Sequence, residues 1–204
     1  MLLTTTPPSL VVFDLDFTLW HRPRFRAGRG PPWTVEDGGL GGVRSATGDL
    51  LYLYPASRRA LLELSDAEVP VAVASRTHRG QWARQWLELL RVEPGGRTVA
   101  DVVGRGPVVI RDGPKPNHLR EIERQSGVPL ERMLFFDDDR ADVERAEAIG
   151  CTAVHVAALD RRRGRCGLTD EHFRDGMRRH AARWAAAAGD EGGAARRGTE
   201  DPCR

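Results

Sequence analysis

Short apolar runs alternate with amphipathic stretches along most of this chain, and each run ends abruptly in polar residues. Leu10 to Phe13 is the first: brief, β-branched, and followed directly by acids. Such a run reads as a buried strand. Val71 to Ala74 and Met133 to Phe136 repeat it, and Val108 to Ile110 and Thr152 to Val156 are shorter versions. The intervening stretches carry helical periodicity. Tyr54-Pro55 opens one helix, with proline suited to its first turn and Leu61, Leu62 and Leu64 as its apolar stripe, and Pro70 breaks it. Trp82, Trp86 and Leu89 recur at i, i+4 and i+7. Leu119 and Ile122 mark a helix that starts near Pro116 and stops at Gly127, a residue suited to the left-handed position past a helix end. Val143, Ala146 and Ile149 mark another, closed by Gly150, and Thr169 can cap a last amphipathic helix running through Trp184. Strand and helix alternating at short spacing predict an α/β fold of three layers, Rossmann-like, with a central parallel sheet, helices on both faces and right-handed crossovers.

Two stretches break the rhythm. Trp20 to Leu51 is dense in glycine and proline, which forbids a long helix and predicts loops or a short hairpin. Arg91 to Gly106 reads as a long loop with Val99 to Val103 as a short strand. The expected organisation is one domain over residues 1–160, with a short insertion at 21–51 too small for a helical cap. A basic loop and helix at 161–188 and a disordered tail at 189–204 complete it. The chain has no internal repeat.

Composition narrows the class. A chain of 204 residues with 40% hydrophobic and 29% charged residues is globular and can bury a real core. The net charge of +2 is too small to argue for nucleic acid or a membrane surface. Cys151, Cys166 and Cys203 give neither a disulfide framework nor a zinc pattern, which suits free thiols in a reducing compartment. No run approaches the length of a membrane span, and no signal peptide is evident. A cytoplasmic enzyme is the expectation, with neither nucleic acid nor membrane as partner. The sequence leaves oligomeric state open.

The polar residues that end the strands carry the chemistry. In an open α/β sheet ligands bind beyond the carboxyl ends of the strands, so Asp14, Asp16, Thr18, Ser75, Arg76, Lys115, Asp137 and Asp138 should converge. Several carboxylates in one crevice repel unless a cation resolves them. Oxygen-only ligands, with no histidine or cysteine in any cluster, favour Mg²⁺ over zinc. A lysine, a hydroxyl and an arginine opposite suit a tetrahedral dianion. The set therefore points to phosphoryl transfer, with either an activated water or a carboxylate as nucleophile. The insertion's Arg22, Arg24, Arg26, Arg29 and Arg44 would make a basic rim attractive to anions, if they are more than a solvated loop.

Asp14-Leu15-Asp16-Phe17-Thr18-Leu19 resembles the DxDx(T/V) signature of the haloacid dehalogenase-like (HAD) superfamily, and Ser75, Lys115 and Asp137-Asp138 match its later motifs in order. More narrowly, Phe13 through Trp20, Ala74 through Thr77 and Phe135 through Asp138 resemble the branch of magnesium-dependent phosphatases. The resemblance spans roughly Leu10 to Val156. It implies a HAD fold with a minimal cap or none. It also implies a phosphatase that hydrolyses phosphomonoesters through a phosphoaspartate on Asp14, with Asp16 as general acid/base. Mg²⁺ would be held by Asp14 and Asp137 and by the main chain at Asp16, with Asp138 farther out or acting through water. Leu15, Ser75, Arg76 and Lys115 would contact phosphate, and Thr18 would orient the Asp16 loop by hydrogen bonding. Asp142 is either the distal acid of the last motif or a surface residue. The open site implied by the short insertion would admit a phosphotyrosine-like aryl phosphate or a phosphorylated or glycated protein. Two alternatives are an FkbH-like transferase acting on a carrier protein and a non-catalytic HAD-fold binding module.

Overall fold

The computed structural model describes residues 7–21, 30–156 and 167–194. Strand β1 (Leu10–Phe13) is followed by four short strands, β2 (Trp20–His21), β3 (Thr34–Glu36), β4 (Gly42–Arg44) and β5 (Leu50–Leu53). Then come α1 (Pro55–Asp66), β6 (Val71–Ser75), α2 (Gly80–Leu89), α3 (Val99–Val103), β7 (Val108–Ile110) and α4 (Lys115–Ser126). The chain continues with β8 (Met133–Asp137), α5 (Arg140–Ala148), β9 (Thr152–His155) and α6 (Asp170–Ala194).

Five strands form a parallel sheet in the order β7-β6-β1-β8-β9. Successive connections leave β1 first toward β6 and later toward β8. The carboxyl end of β1 is therefore the switch point at which open sheets leave a crevice. Strand alternation divides the core between the two faces. Val11, Phe13, Val73, Leu134, Phe136 and Val154 form one cluster with Leu61, Leu64, Trp86, Val99 and Phe173 of the helices on that side. Leu10, Val12, Ala72, Ala74, Phe135 and Ala153 pack with Leu119, Ile122, Val143 and Ala146 of α4 and α5. The strands are buried on both faces, as parallel strands between two helical layers must be. The expected three-layer α/β architecture is what the chain forms.

Local structure differs from expectation in three places. Val99–Val103 is helix α3 rather than a strand. A capping box starts it: the Thr98 side chain accepts from the Asp101 N–H at 3.1 Å, and the Asp101 carboxylate accepts from the Thr98 N–H at 2.8 Å. That reciprocal cap overrides the β preference of the valines. The insertion is more than a hairpin, since β2 to β5 make a four-stranded antiparallel sheet in the order β2-β5-β4-β3. Its glycines supply the bends; Gly42, at φ +112, would place a Cβ 2.3 Å from the Leu51 carbonyl. The last helix spans Asp170–Ala194, longer than the helix expected to run through Trp184, with the Ala185 to Ala188 run of high helix propensity carrying it past that residue. Arg22, Arg24, Arg26, Arg29, the basic 161–163 loop and residues 195–204 lie outside the described residues. Arg44 is committed to Glu36 in a two-pronged ion pair on β3 and β4.

Candidate active site

The carboxyl end of β1 is built by backbone geometry. The Asp14 N–H donates to the Phe136 carbonyl at 2.9 Å, which keeps β1 and β8 paired up to the first acid. The chain then folds into a tight loop. The Leu15 carbonyl accepts from the N–H groups of Thr18, Leu19 and Trp20 at 3.3, 3.0 and 3.1 Å, and the Phe17 N–H donates to the Trp20 carbonyl at 2.8 Å. This closure holds Phe17 at φ +65, a left-handed conformation uncommon for a residue with a Cβ. Asp14 and Asp16 are thus presented from a fixed loop.

Lys115 enters from the first turn of α4 and is 1% exposed. Its ammonium donates to Asp14 Oδ1 and to the Ala74 carbonyl, both at 2.6 Å, and lies 2.9 Å from Asp137 Oδ2. One cation therefore ties together the ends of β1, β6 and β8. Burial works against the lysine's charge, but Asp14 and Asp137 outweigh it and hold its pKa above the ordinary lysine value. The acids are pushed the other way. Burial raises Asp14 to about 6 against the pull of Lys115, with Asp16 and Asp138 adding repulsion. Burial, then the neighbouring Asp14 charge, raises Asp137 to about 7.

A cavity of about 230 Å³ opens over these groups, lined by Asp14, Asp16, Ser75, Arg76, Lys115, Asp137 and Asp138, among others. No residue of β2 to β5 lines it. Asp14, Asp137 and Asp138 each bring a carboxylate oxygen within 4.8 Å of the others. An all-oxygen set with several negative charges and one lysine fits a hard divalent cation. Asp138, expected farther out, stands in this group. The Asp16 side chain is not part of it and instead accepts from the Trp20 indole N–H at 2.8 Å.

The remaining expected residues divide. Ser75 is buried at the cavity, and its hydroxyl accepts from the Thr77 N–H at 3.3 Å. Arg76 lines the cavity but spends its guanidinium on Asp139 at 3.3 Å and Asp142 at 3.2 Å. The geometry thus has Arg76 join the β6 and β8 loops at the cavity wall where the phosphate contact is expected of it. The Leu15 side chain belongs to the core, and the residue does not line the cavity. Thr18 supports the loop through its backbone, accepting from the Leu168 N–H at 2.9 Å. Its buried hydroxyl has no hydrogen-bond partner among the described residues, and its hydrogen bonds to the Asp16 loop run through the Thr18 N–H to the Leu15 carbonyl.

Asp142 is fully buried and paired with Arg76 and Arg145, so it is a structural acid of the site and not a surface residue. Sequence reasoning passed over Phe17, Thr77 and His78, which also line the cavity. Their closeness in sequence to Asp16 and Ser75 was the available signal.

Strand order and the placing of the acids at the switch point define a class: a haloacid dehalogenase-like hydrolase. A HAD-superfamily hydrolase from Ehrlichia chaffeensis shares this fold at 13% identity, with a TM-score of 0.55 over 87% of this chain and 99% of that one. Residues 6–183 match the family model described as Acid Phosphatase, and the chain belongs to that family. Magnesium-dependent phosphatase 1 of Homo sapiens is 34% identical over 155 residues, covering 73% of this chain and 78% of its own length. A HAD-like hydrolase superfamily protein of Schizosaccharomyces pombe is 31% identical over 152 residues, covering 71% of this chain and 83% of its own. Among the described residues no helix is long and apolar enough to cross a membrane.

Proposed function

We propose that the protein is a Mg²⁺-dependent phosphatase that hydrolyses phosphomonoesters through a phosphoaspartate on Asp14. The observation that carries this reading is the Asp14 carboxylate, held at 2.6 Å by a buried lysine within a group of three aspartates at the cavity floor. The likeness to a phosphatase named as magnesium-dependent supports the choice of metal. Asp14, Asp137 and Asp138 would hold the ion, which when bound supplies positive charge to the transferring phosphoryl group.

The free oxygen of Asp14 attacks phosphorus as the bond to the leaving oxygen breaks, and Asp16 gives its proton to that oxygen. Asp16, now a carboxylate, takes a proton from water as the water oxygen attacks the phosphoaspartate. Inorganic phosphate leaves and Asp14 is restored. Lys115 keeps Asp14 oriented and offsets negative charge throughout.

Among the described residues none of β2 to β5 lines the cavity, which supports a substrate carried on a larger molecule. A phosphotyrosine-like aryl phosphate and a phosphosugar on a glycated protein are the candidates.

The test is turnover of p-nitrophenyl phosphate with Mg²⁺, extended to phosphotyrosine peptides and phosphosugars, with acid-quenched samples examined for a phosphoryl group on the Asp14 peptide. Full activity in Asp14→Asn, or in excess EDTA, overturns the mechanism.

A further inference from the structure

We infer that Trp20 is a positioning residue for the proton donor: its indole fixes which oxygen of Asp16 carries the catalytic proton. This rests on the phosphatase reading above and adds a role that the reading does not contain.

Trp20 is fully buried, although it lies only four residues beyond Asp16. Its ring packs edge-on against Trp86, with centroids 5.9 Å apart and planes at 87°. Trp86 in turn meets Trp33 at 5.3 Å, and the Trp33 indole donates to Gln85 Oε1 at 2.7 Å. The backbone is pinned as well. The Trp20 N–H and carbonyl close the Leu15–Trp20 loop, and Trp20 pairs with Leu53 in the small sheet. The indole therefore cannot move to follow Asp16; the carboxylate must come to the indole. It does so through Oδ1, 2.8 Å from Nε1.

An indole N–H can only donate, so Oδ1 can only accept along this bond. In a protonated carboxyl the carbonyl oxygen is the stronger acceptor, so the indole bond favours Oδ1 as the carbonyl oxygen and Oδ2 as the one that carries the proton. Proton delivery to the leaving group then runs from Oδ2 alone, with no rotameric search at the moment of bond cleavage. The bond also accounts for Asp16 standing outside the three-aspartate group although it lines the same cavity. The small antiparallel sheet acquires a task by the same argument. It does not cover the site; it anchors the tryptophan that aims the acid.

Leaving groups separate aiming from mere packing. An alkyl phosphate leaves as a basic alkoxide and needs the proton, whereas p-nitrophenolate leaves with little help. Trp20→Phe should lower kcat/KM for an alkyl phosphate by about 100-fold, the scale of a lost general acid. It should lower kcat/KM for p-nitrophenyl phosphate by no more than about 3-fold, so that the ratio of the two moves by at least about 30-fold. Trp86→Phe disturbs the same cluster without touching Asp16 and should leave the ratio unchanged. If Trp20→Phe fails to fold, benzothienylalanine at position 20, which keeps the ring shape and lacks the N–H, takes its place.

A second readout needs no turnover. In protein labelled with ¹⁵N-tryptophan, the Trp20 indole proton, assigned by its loss on substitution, should move upfield in Asp16→Ala while the Trp33 signal stays. An unmoved Trp20 signal overturns the inference, as does an equal loss for both substrates in Trp20→Phe. If the wild-type protein turns over neither phosphate, the phosphatase reading itself falls and takes the proton-delivery role with it; the indole signal then reports only whether the bond exists.

Discussion

Acidification from pH 8 to pH 5.5 should weaken Mg²⁺ binding about 100-fold, and the size of that effect follows from two buried carboxyls. Asp137 is raised to about 7 and Asp14 to about 6, in both cases first by burial. A raised carboxylate pKa means that the proton is held at a pH where an ordinary aspartate is already ionised, and the metal must displace it. At pH 8 both groups are almost fully ionised and there is nothing to displace. At pH 5.5 about 3% of the first and about a quarter of the second are ionised, so the fraction with both ligands ready falls to roughly 1%. Calorimetric titration of Mg²⁺ at several pH values, in buffers of different ionisation heat, measures both affinity and protons released. The expected result is close to zero protons released per ion at pH 8 and between one and two at pH 5.5. Asp137→Asn should flatten the dependence, because the group with the higher pKa is gone. An affinity constant within about 3-fold across the range, with no proton release, would refute the argument that these carboxyls are the ligands and are protonated in the metal-free protein.

Three further outcomes are expected. Asp14→Asn should lower p-nitrophenyl phosphate turnover by at least about 10⁴-fold while leaving the circular dichroism spectrum unchanged, since the nucleophile is lost and its shape is kept. Lys115→Met should destabilise the metal-free protein by about 3–5 kcal/mol in urea melts at pH 8, because it leaves two buried carboxylates without their cation. The loss should shrink at pH 6, where Asp137 is largely protonated. Gly106→Ala should cost about 2–3 kcal/mol with no direct effect on the site, because a Cβ there would lie 1.9 Å from the Val71 carbonyl oxygen.

The legible parts of this chain are those in which each physical signal is local. A short apolar run that ends abruptly in polar residues reads as a buried parallel strand, and the runs at β1, β6, β7, β8 and β9 sufficed for the sheet and for its functional edge. Asp14, Ser75 and Asp137 are legible because each stands where an apolar run ends, and Lys115 because a short proline turn carries it just beyond the next run. What was not legible depends on partners distant in sequence. The valines of α3 read as a strand because side-chain propensity is visible along the chain, whereas the Thr98–Asp101 cap acts only once the helix forms. Arg76 reads as an anion binder by type, and only the fold shows that Asp139 and the buried Asp142 already engage its charge. The glycines of the insertion read as loop formers along the chain; Gly42 instead allows the close approach of β4 to β5, where strand pairing is set by contacts across the small sheet.

Lys115 answers a folding problem before it serves any chemistry. Two buried carboxylates with a half-buried third beside them repel without a compensating charge, and a metal ion is not covalently part of the chain. The lysine is: it enters at the start of α4, is held by the Ala74 carbonyl, and reaches Asp14 and Asp137 at once. The lysine therefore offsets part of the repulsion between the two buried acids, and an oxygen-only set of carboxylates beside it suits a hard divalent cation.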